Sequence, residues 1–235
     1  DVKVSPGSTI TISGEKSGDP NGDVLQFEWS LPPSLMEKDN YVYDQTDTVK
    51  THKGNSIIGD RAFSNDPRIV SKLGNICVDF YNKNKIGTVV KHIPGHGKSK
   101  FDSHHRLSVI KSDKNKLINE DFKPFRNSNS FFAMTAHLIY EKFDNQNTAT
   151  HSKTIINKVI RKHIGFKGIL MSDDISMKAL KYNLIENATK ALDAGCNLIL
   201  HCNGNIKEML KLSKIIPTID EFTQKKTSDF YEFLG

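Results

Sequence analysis

The chain has 235 residues, of which 37% are hydrophobic, and its mean hydropathy of −0.47 argues against a membrane protein. The net charge of +6 is unevenly spread, because residues 1–50 hold four Lys and nine Asp/Glu, which leaves 29 basic and 18 acidic residues downstream. The lysines are scattered over predicted helix faces without an aromatic stripe, so the charge indicates a solvated surface and not a nucleic-acid partner.

Residues 1–35 predict a β-rich segment. The stretches STITISGE and VLQFEWSL alternate polar and apolar residues, and GDPNGD between them is a turn sequence. This arrangement resembles part of a polycystic-kidney-disease-type Ig-like repeat. The oxygens of Asp19, Asn21 and Asp23 could bind calcium, although a turn is the simpler interpretation. Residues 36–55 show neither helical nor strand periodicity and are expected to form a linker.

From residue 56 onward, short β-branched runs alternate with amphipathic stretches. Strands are predicted at residues 57–58, 86–90, 130–135, 168–171 and 197–200. Helices are predicted at residues 67–81, 115–122, 152–163, 184–194 and 205–215. The last residues, KKTSDFYEFLG, are expected to be a weakly held end. The alternation predicts parallel βα units.

Each of the later predicted strands ends in polar residues, namely KH, TAH, SDD and HCN. Polar side chains at the carboxyl ends of successive parallel strands are typical of the catalytic face of a TIM barrel. An open doubly wound sheet follows a similar rule, but no Gly-rich phosphate loop follows any of these strands.

The segment KHIPGHGKSKFDSHH, residues 91–105, holds four of the nine histidines. It follows a predicted buried strand and contains Pro and Gly, as expected of a loop at an active-site rim. Asp102 and His104 are two positions apart, so the carboxylate can orient the imidazole and raise its basicity. Such a pair suits a proton shuttle near neutral pH.

Another interpretation of the same histidines is a metal site made by His92, His96, His104 and Asp173, which would support metal-assisted hydrolysis. The spacing of His92 and His96 suits a zinc site on a helix. Pro94 and Gly95 between them disfavour that helix, but a metal-dependent hydrolase stays an alternative on the residues alone.

Ser172, Asp173 and Asp174 directly follow a predicted strand. A carboxylate in this position can act as a nucleophile toward the anomeric carbon of a sugar. Only one of two adjacent side chains points inward from a strand end, so the other is expected to cap the following helix or to hydrogen-bond nearby groups. The alternative is that both aspartates merely cap a helix at residues 175–180.

The segments KHIPGHGKSKFDSHHRLSVI and GFKGILMSDDISMKAL resemble the two signature segments of glycoside hydrolase family 3 β-N-acetylglucosaminidases, in their peptidoglycan-recycling branch. IIGDRAFSNDP, FKPF, MTAHLIY and ALDAGCNLIL follow in the order that this family has them. The resemblance covers about residues 56–215.

The resemblance implies retaining hydrolysis of terminal β-linked N-acetylglucosamine, with muropeptides as usual substrates and no cofactor. Asp173 matches the nucleophile, and His104 with Asp102 matches the acid/base dyad on a loop. The residues that match the groups holding the sugar are Arg61, Lys91, His92 and Met177.

Family members carry further βα units before the GDRxF segment, whereas here residues 1–55 are β-rich. The predicted fold is therefore α/β: a short Ig-like segment (1–35), a linker (36–55) and a partial TIM barrel (56–235) with about five of eight βα units. A chain that begins at Asp1 is expected to be a fragment or a processed product. The missing βα units indicate a hybrid or truncated gene product, in which catalysis can be lost. The alternative function is then a non-catalytic saccharide-binding module.

The chain contains three cysteines, an odd number, and each lies in or beside an apolar helix or strand. This pattern predicts buried thiols in a reducing compartment and no disulfide framework. The usual location of this branch of the family agrees, so the cytoplasm is expected. The Ig-like segment instead favours export, and the oligomeric state is left open.

Overall fold

The computed structural model describes residues 63–99 and 107–235, together with the backbone of two short strands near the start of the chain. The chain divides into two compact units, Asp1–Asp47 and Thr48–Gly235. In the first unit, strand β1 (Ile10–Ser13) pairs antiparallel with strand β2 (Gln26–Trp29). Both strands lie within the stretches whose alternation predicted them.

Other predictions for the early part of the chain fall outside the described residues. These are the turn with Asp19, Asn21 and Asp23, the linker at residues 36–55 and the strand at residues 57–58. The Ig-like resemblance of residues 1–35 stays a prediction.

In the second unit, the strands are β3 (Val89–Ile93), β4 (Ser108–Ile110), β5 (Phe132–Thr135), β6 (Leu138–Tyr140), β7 (Ile169–Asp174) and β8 (Leu198–Leu200). The helices are α1 (Pro67–Lys83), α2 (Lys114–Asn119), α3 (Ile155–Ile164), α4 (Leu184–Ala194), α5 (Ile206–Ser213) and α6 (Glu221–Leu234). Strands alternate with helices, so the α/β class predicted from the sequence is confirmed.

One sheet carries the strands with the polar ends. Its order is β3-β5-β7-β8 and every neighbouring pair is parallel. Ala133 on β5 lies opposite both Val90 and Leu170, and Ala133 and Leu170 are fully buried. Four of the five predicted strands therefore form a single parallel sheet whose central strands are buried, as in α/β barrels.

The main core joins this sheet to helix α3 and also takes in side chains of β4, α2, β6 and α4. The hydrogen bonds of α3 are of the π type. The buried side chains of α3 are Ile155, Ile156, Val159, Ile160 and Ile164. The hydroxyl of Ser152 accepts a hydrogen bond from the Ile155 N–H at 3.1 Å, which is the serine cap that the sequence predicted. Gly165 ends the helix in the left-handed conformation, with φ of 80°.

Two features of the second unit differ from the predictions. Strands β4 and β6 form a separate parallel pair that was not predicted. The expected weak end is instead helix α6, so that prediction was wrong. The Phe230 ring on α6 packs against Phe131 and Phe132, with centroids 5.2 and 4.9 Å apart. Aromatic packing of this kind stabilises a helix whose own sequence gives a weak amphipathic pattern.

Candidate active site

The carboxyl ends of the four parallel strands gather the polar groups that the sequence singled out. Lys91 and His92 lie near the end of β3, His137 follows β5, Asp173 and Asp174 end β7, and His201 follows β8. Two cis peptide bonds, Lys91–His92 and Ile93–Pro94, occur where β3 passes into the loop. The expectation that parallel strands bring these groups to one edge is thus met by the described residues.

Asp173 and Asp174 are held in different ways. One carboxylate oxygen of Asp173, Oδ1, accepts a hydrogen bond from the Asp174 N–H at 2.8 Å. Asp174 instead accepts from the Ser176 N–H, the Ser176 hydroxyl and the Cys202 N–H, at 3.0, 2.7 and 3.2 Å. Asp174 is therefore occupied in joining the turn after β7 to the loop after β8, as expected for one of the two neighbours. Asp173 keeps its other oxygen, Oδ2, for a different partner.

That partner is His92. Its Nε2 lies 3.6 Å from Asp173 Oδ2, and the side chains are 32% and 16% exposed. The pKa of His92 is lowered from 6.5 to about 4, mainly by burial and to a smaller extent by His96, Lys91 and His137, whereas Asp173 opposes the shift. The imidazole is therefore neutral at neutral pH, so the contact is between a neutral ring and a carboxylate and is not an ion pair. A neutral ring can still donate one hydrogen bond to an oxygen of a substrate.

The loop after β3 begins on a firmly held base. Gly95 has φ of 151°, and its carbonyl accepts a hydrogen bond from the buried Tyr140 hydroxyl. Lys98 Nζ lies 2.5 Å from Glu120 Oε2 and 3.3 Å from Asp121 Oδ2. Burial raises the pKa of Asp121, although Lys98 opposes the shift. These contacts fix the start of the segment that carries Asp102 and His104.

The remaining predicted residues divide into two groups. Met177 is buried in the turn after β7, where its N–H donates to the Asp174 carbonyl at 3.1 Å, and Lys91 is exposed on β3. Arg61, Asp102 and His104 lie outside the described residues. The residues from 175 to 180 form turns, so the helix proposed there as the alternative use of both aspartates is absent.

The structure places two further histidines near the end of β7: His96, which entered only the alternative metal site, and His137, which had no predicted role. The His96 ring is buried and its centroid lies 5.4 Å from that of His92. The His137 side chain is 1% exposed, and its Nε2 lies 3.0 Å from the Asp174 carbonyl oxygen. The sequence signals for His137 were its position directly after a predicted strand and its place in the MTAHLIY segment.

The described residues contain no group of three or more His, Cys, Asp or Glu side chains that could hold a metal ion. Among these residues, His92, His96 and Asp173 thus do not make the metal site considered from the sequence, and His104 lies outside them. In the same part of the chain, no helix is both long and apolar enough to cross a membrane.

Comparison with known proteins identifies one family over most of the chain. The glycosyl hydrolase family 3 N-terminal domain matches residues 47–229. A beta-hexosaminidase of Nitrosospira multiformis is 36% identical over 154 residues, which are 63% of this chain and 44% of that protein. The chain thus spans about half the length of the curated relatives that it matches.

Solved structures of other proteins also resemble the chain. A family 3 beta-N-acetylglucosaminidase from Paenibacillus sp. superposes with a TM-score of 0.68 at 27% identity, over 79% of this chain and 38% of that one. Native NagZ from Neisseria gonorrhoeae gives a TM-score of 0.67 at 26% identity, over 77% and 52% of the two chains. The same Neisseria protein has been solved in complex with N-trifluoroacetyl-D-glucosamine.

Proposed function

The chain belongs to glycosyl hydrolase family 3, and from that premise we propose that it removes terminal β-linked N-acetylglucosamine from peptidoglycan fragments, with retention of configuration. The observation that carries the proposal is the way in which the Asp173 carboxylate is held at the end of β7. One of its oxygens is fixed by a backbone N–H, while the other faces the neutral His92 ring across 3.6 Å. A carboxylate held in this way has a defined direction of attack.

In the proposed reaction, Asp173 attacks the anomeric carbon and forms a glycosyl ester while the glycosidic bond breaks. The leaving oxygen takes a proton from His104, which Asp102 orients. A water molecule then attacks the same carbon, His104 accepts its proton, and the ester bond to Asp173 breaks. Two displacements at one carbon give retention, and the histidine returns to its starting state.

The sugar is proposed to be held by Arg61, Lys91, His92 and Met177. Lys91 is an exposed cation at the sheet edge, which suits hydroxyl oxygens, and His92 presents a neutral ring beside the nucleophile. Met177 is buried in the turn after β7. The relative solved with a glucosamine derivative supports N-acetylglucosamine as the sugar. A muropeptide is the proposed natural substrate.

Release of 4-nitrophenol from its β-N-acetylglucosaminide tests the reaction. Asp173→Ala should lose at least about 10³-fold in kcat, because the nucleophile is removed. Adding azide to that variant should produce the α-glycosyl azide, since a small anion can occupy the space of the carboxylate and attack once. Asp193→Ala, on the exposed side of α4, is the matched control and should keep full activity. Unchanged turnover in the Asp173 variant would remove this residue from the mechanism.

A second candidate is a non-catalytic saccharide-binding module. The observation that favours it is the four-stranded sheet of the described residues, since eight strands close a TIM barrel. Calorimetric binding of N-acetylglucosamine without turnover of the chromogenic substrate would support this function and overturn the first. Activity that persists in a chelator would count against a metal-dependent hydrolase.

We also propose that the protein works in the cytoplasm. Cys77, Cys196 and Cys202 are all free thiols in the described part of the chain, which suits a reducing compartment. Only Cys196 is buried, so the prediction of buried thiols was wrong for Cys77 and Cys202, which are exposed because their side chains lie at the surface of α1 and of the loop after β8.

A further inference from the structure

A chain of hydrogen-bonded side chains runs beneath the candidate site, from β5 to the end of β7. The Thr135 and Thr150 hydroxyl oxygens are 2.8 Å apart, and Thr150 Oγ1 lies 2.7 Å from His137 Nδ1. The other ring nitrogen of His137, Nε2, lies 3.0 Å from the Asp174 carbonyl oxygen. Thr135 and Thr150 are fully buried and His137 is 1% exposed, so none of the three is placed to touch a substrate.

The chemistry of these groups determines which atom donates each of the hydrogen bonds. A carbonyl oxygen only accepts, so His137 Nε2 must carry the proton that it shares with Asp174. In a neutral ring, Nδ1 is then an acceptor and takes its hydrogen bond from the Thr150 hydroxyl. Because Thr150 has only one proton, the 2.8 Å contact requires Thr135 to donate to Thr150. The Thr150 hydroxyl oxygen also lies 3.3 Å from the Ala136 carbonyl oxygen. That contact is longer, and the hydroxyl proton of Thr150 is already donated to His137.

The end of this chain fixes the peptide groups on both sides of Asp174. The Asp174 carbonyl accepts from His137 and from the Met177 N–H, at 3.0 and 3.1 Å. The Asp174 N–H donates to Asp173 Oδ1 at 2.8 Å. A rotation of the Asp174 backbone would therefore turn the carboxylate of Asp173 away from its position facing His92.

We propose that His137, in its neutral Nε2–H tautomer set by Thr150, is a positioning residue for the Asp173 carboxylate. It acts through the Asp174 backbone and does not contact the sugar. The proposal rests on the proposed function, because it assigns Asp173 as the nucleophile. A misplacement of about 1 Å in a nucleophile can cost about 10²-fold in rate, so loss of the His137 contact should lower kcat strongly.

Two pairs of variants test the role. His137→Leu removes the donor to the Asp174 carbonyl, whereas His137→Gln places an amide N–H near the position of Nε2. Thr150→Val removes the hydroxyl with little change of shape, whereas Thr150→Ser keeps it. We expect kcat to fall about 10- to 100-fold in the Leu variant and less in the Val variant, with KM nearly unchanged. The Gln and Ser variants should recover most of the loss.

Equal losses in the Leu and Gln variants, or a rise in KM at constant kcat, would overturn the positioning role. If His137→Leu does not fold, the Thr150 pair decides by the same criterion. Nitrogen-15 NMR of histidine-labelled wild-type protein gives a readout that is independent of turnover. A proton on Nε2 with a bare Nδ1 supports the proposal, and a proton on Nδ1 refutes it. Inactive wild-type protein would instead refute the proposed function, whatever the tautomer.

Discussion

Replacing Gly95 by alanine should disturb the base of the loop after β3 more than any other glycine substitution nearby. The φ of Gly95 is 151°, a conformation that residues with a Cβ rarely adopt. A Cβ built there would lie 2.7 Å from the Asp121 carbonyl oxygen and 2.8 Å from the Asp121 Cβ. Neither neighbour is the free end of a flexible side chain, so the backbone itself must move.

The two effects add to a large loss of stability. Backbone strain of this kind costs about 1–3 kcal/mol and overpacking about 1–3 kcal/mol, which gives about 2–6 kcal/mol in total. Typical domains unfold with only about 5–15 kcal/mol, so the variant should lose a large share of its stability. Movement of the loop base should also lower kcat, because the proposed acid/base pair follows it in the chain.

Gly74→Ala is the matched control. Gly74 lies inside α1, and a Cβ built there meets nothing within 4 Å. The same substitution should therefore stabilise the protein by about 0.5–1 kcal/mol through helix propensity.

Urea unfolding followed by circular dichroism measures both variants. A Gly95→Ala protein that unfolds within about 0.5 kcal/mol of wild type would refute the close approach to Asp121.

Three further predictions concern stability. Phe230→Ala should lower the free energy of unfolding by about 2 kcal/mol, less than for a fully buried ring because Phe230 is half-buried. Tyr231→Ala is the control and should have little effect, because Tyr231 is 71% exposed. Equal effects of the two substitutions would refute the packing of α6 on the sheet. Burial lowers the pKa of His151 from 6.5 to about 4, so the unfolded chain binds the extra proton in this window, and this group should lower stability by at most about 3 kcal/mol as the pH drops through it, apart from the share of His92. His151→Gln, which keeps a donor, should remove the share of His151 and make the pH dependence shallower, and an unchanged urea profile would contradict the assignment. Lys98→Met leaves the buried carboxylate of Asp121 without its cation and should lower the free energy of unfolding by about 2–3 kcal/mol at neutral pH. The loss should be smaller in acid, where the carboxylate is protonated. Adding Asp121→Asn should recover most of the loss.

Local sequence signals determined much of the fold. Helix α4 was predicted at residues 184–194, and it is bounded by the capping box of Asn183 and Glu186 and by Gly195 in the left-handed conformation. The strands were recognisable from β-branched runs, and their polar ends marked the edge of the sheet that carries the site. These features depend on neighbours only a few residues apart, so a single sequence contains them.

Other features depend on contacts between distant residues. Helix α6 owes its place to rings about a hundred residues earlier in the chain, at Phe131 and Phe132. His137 meets the Asp174 carbonyl across 37 positions. The low pKa of His92 comes mainly from burial, which no local pattern reveals. The sequence by itself thus determined most of the helices, the four strands of the main sheet, the family resemblance and Asp173 as the proposed nucleophile. Only the tertiary structure decided how Asp173 is held, because desolvation and hydrogen-bond geometry arise when separate strands come together.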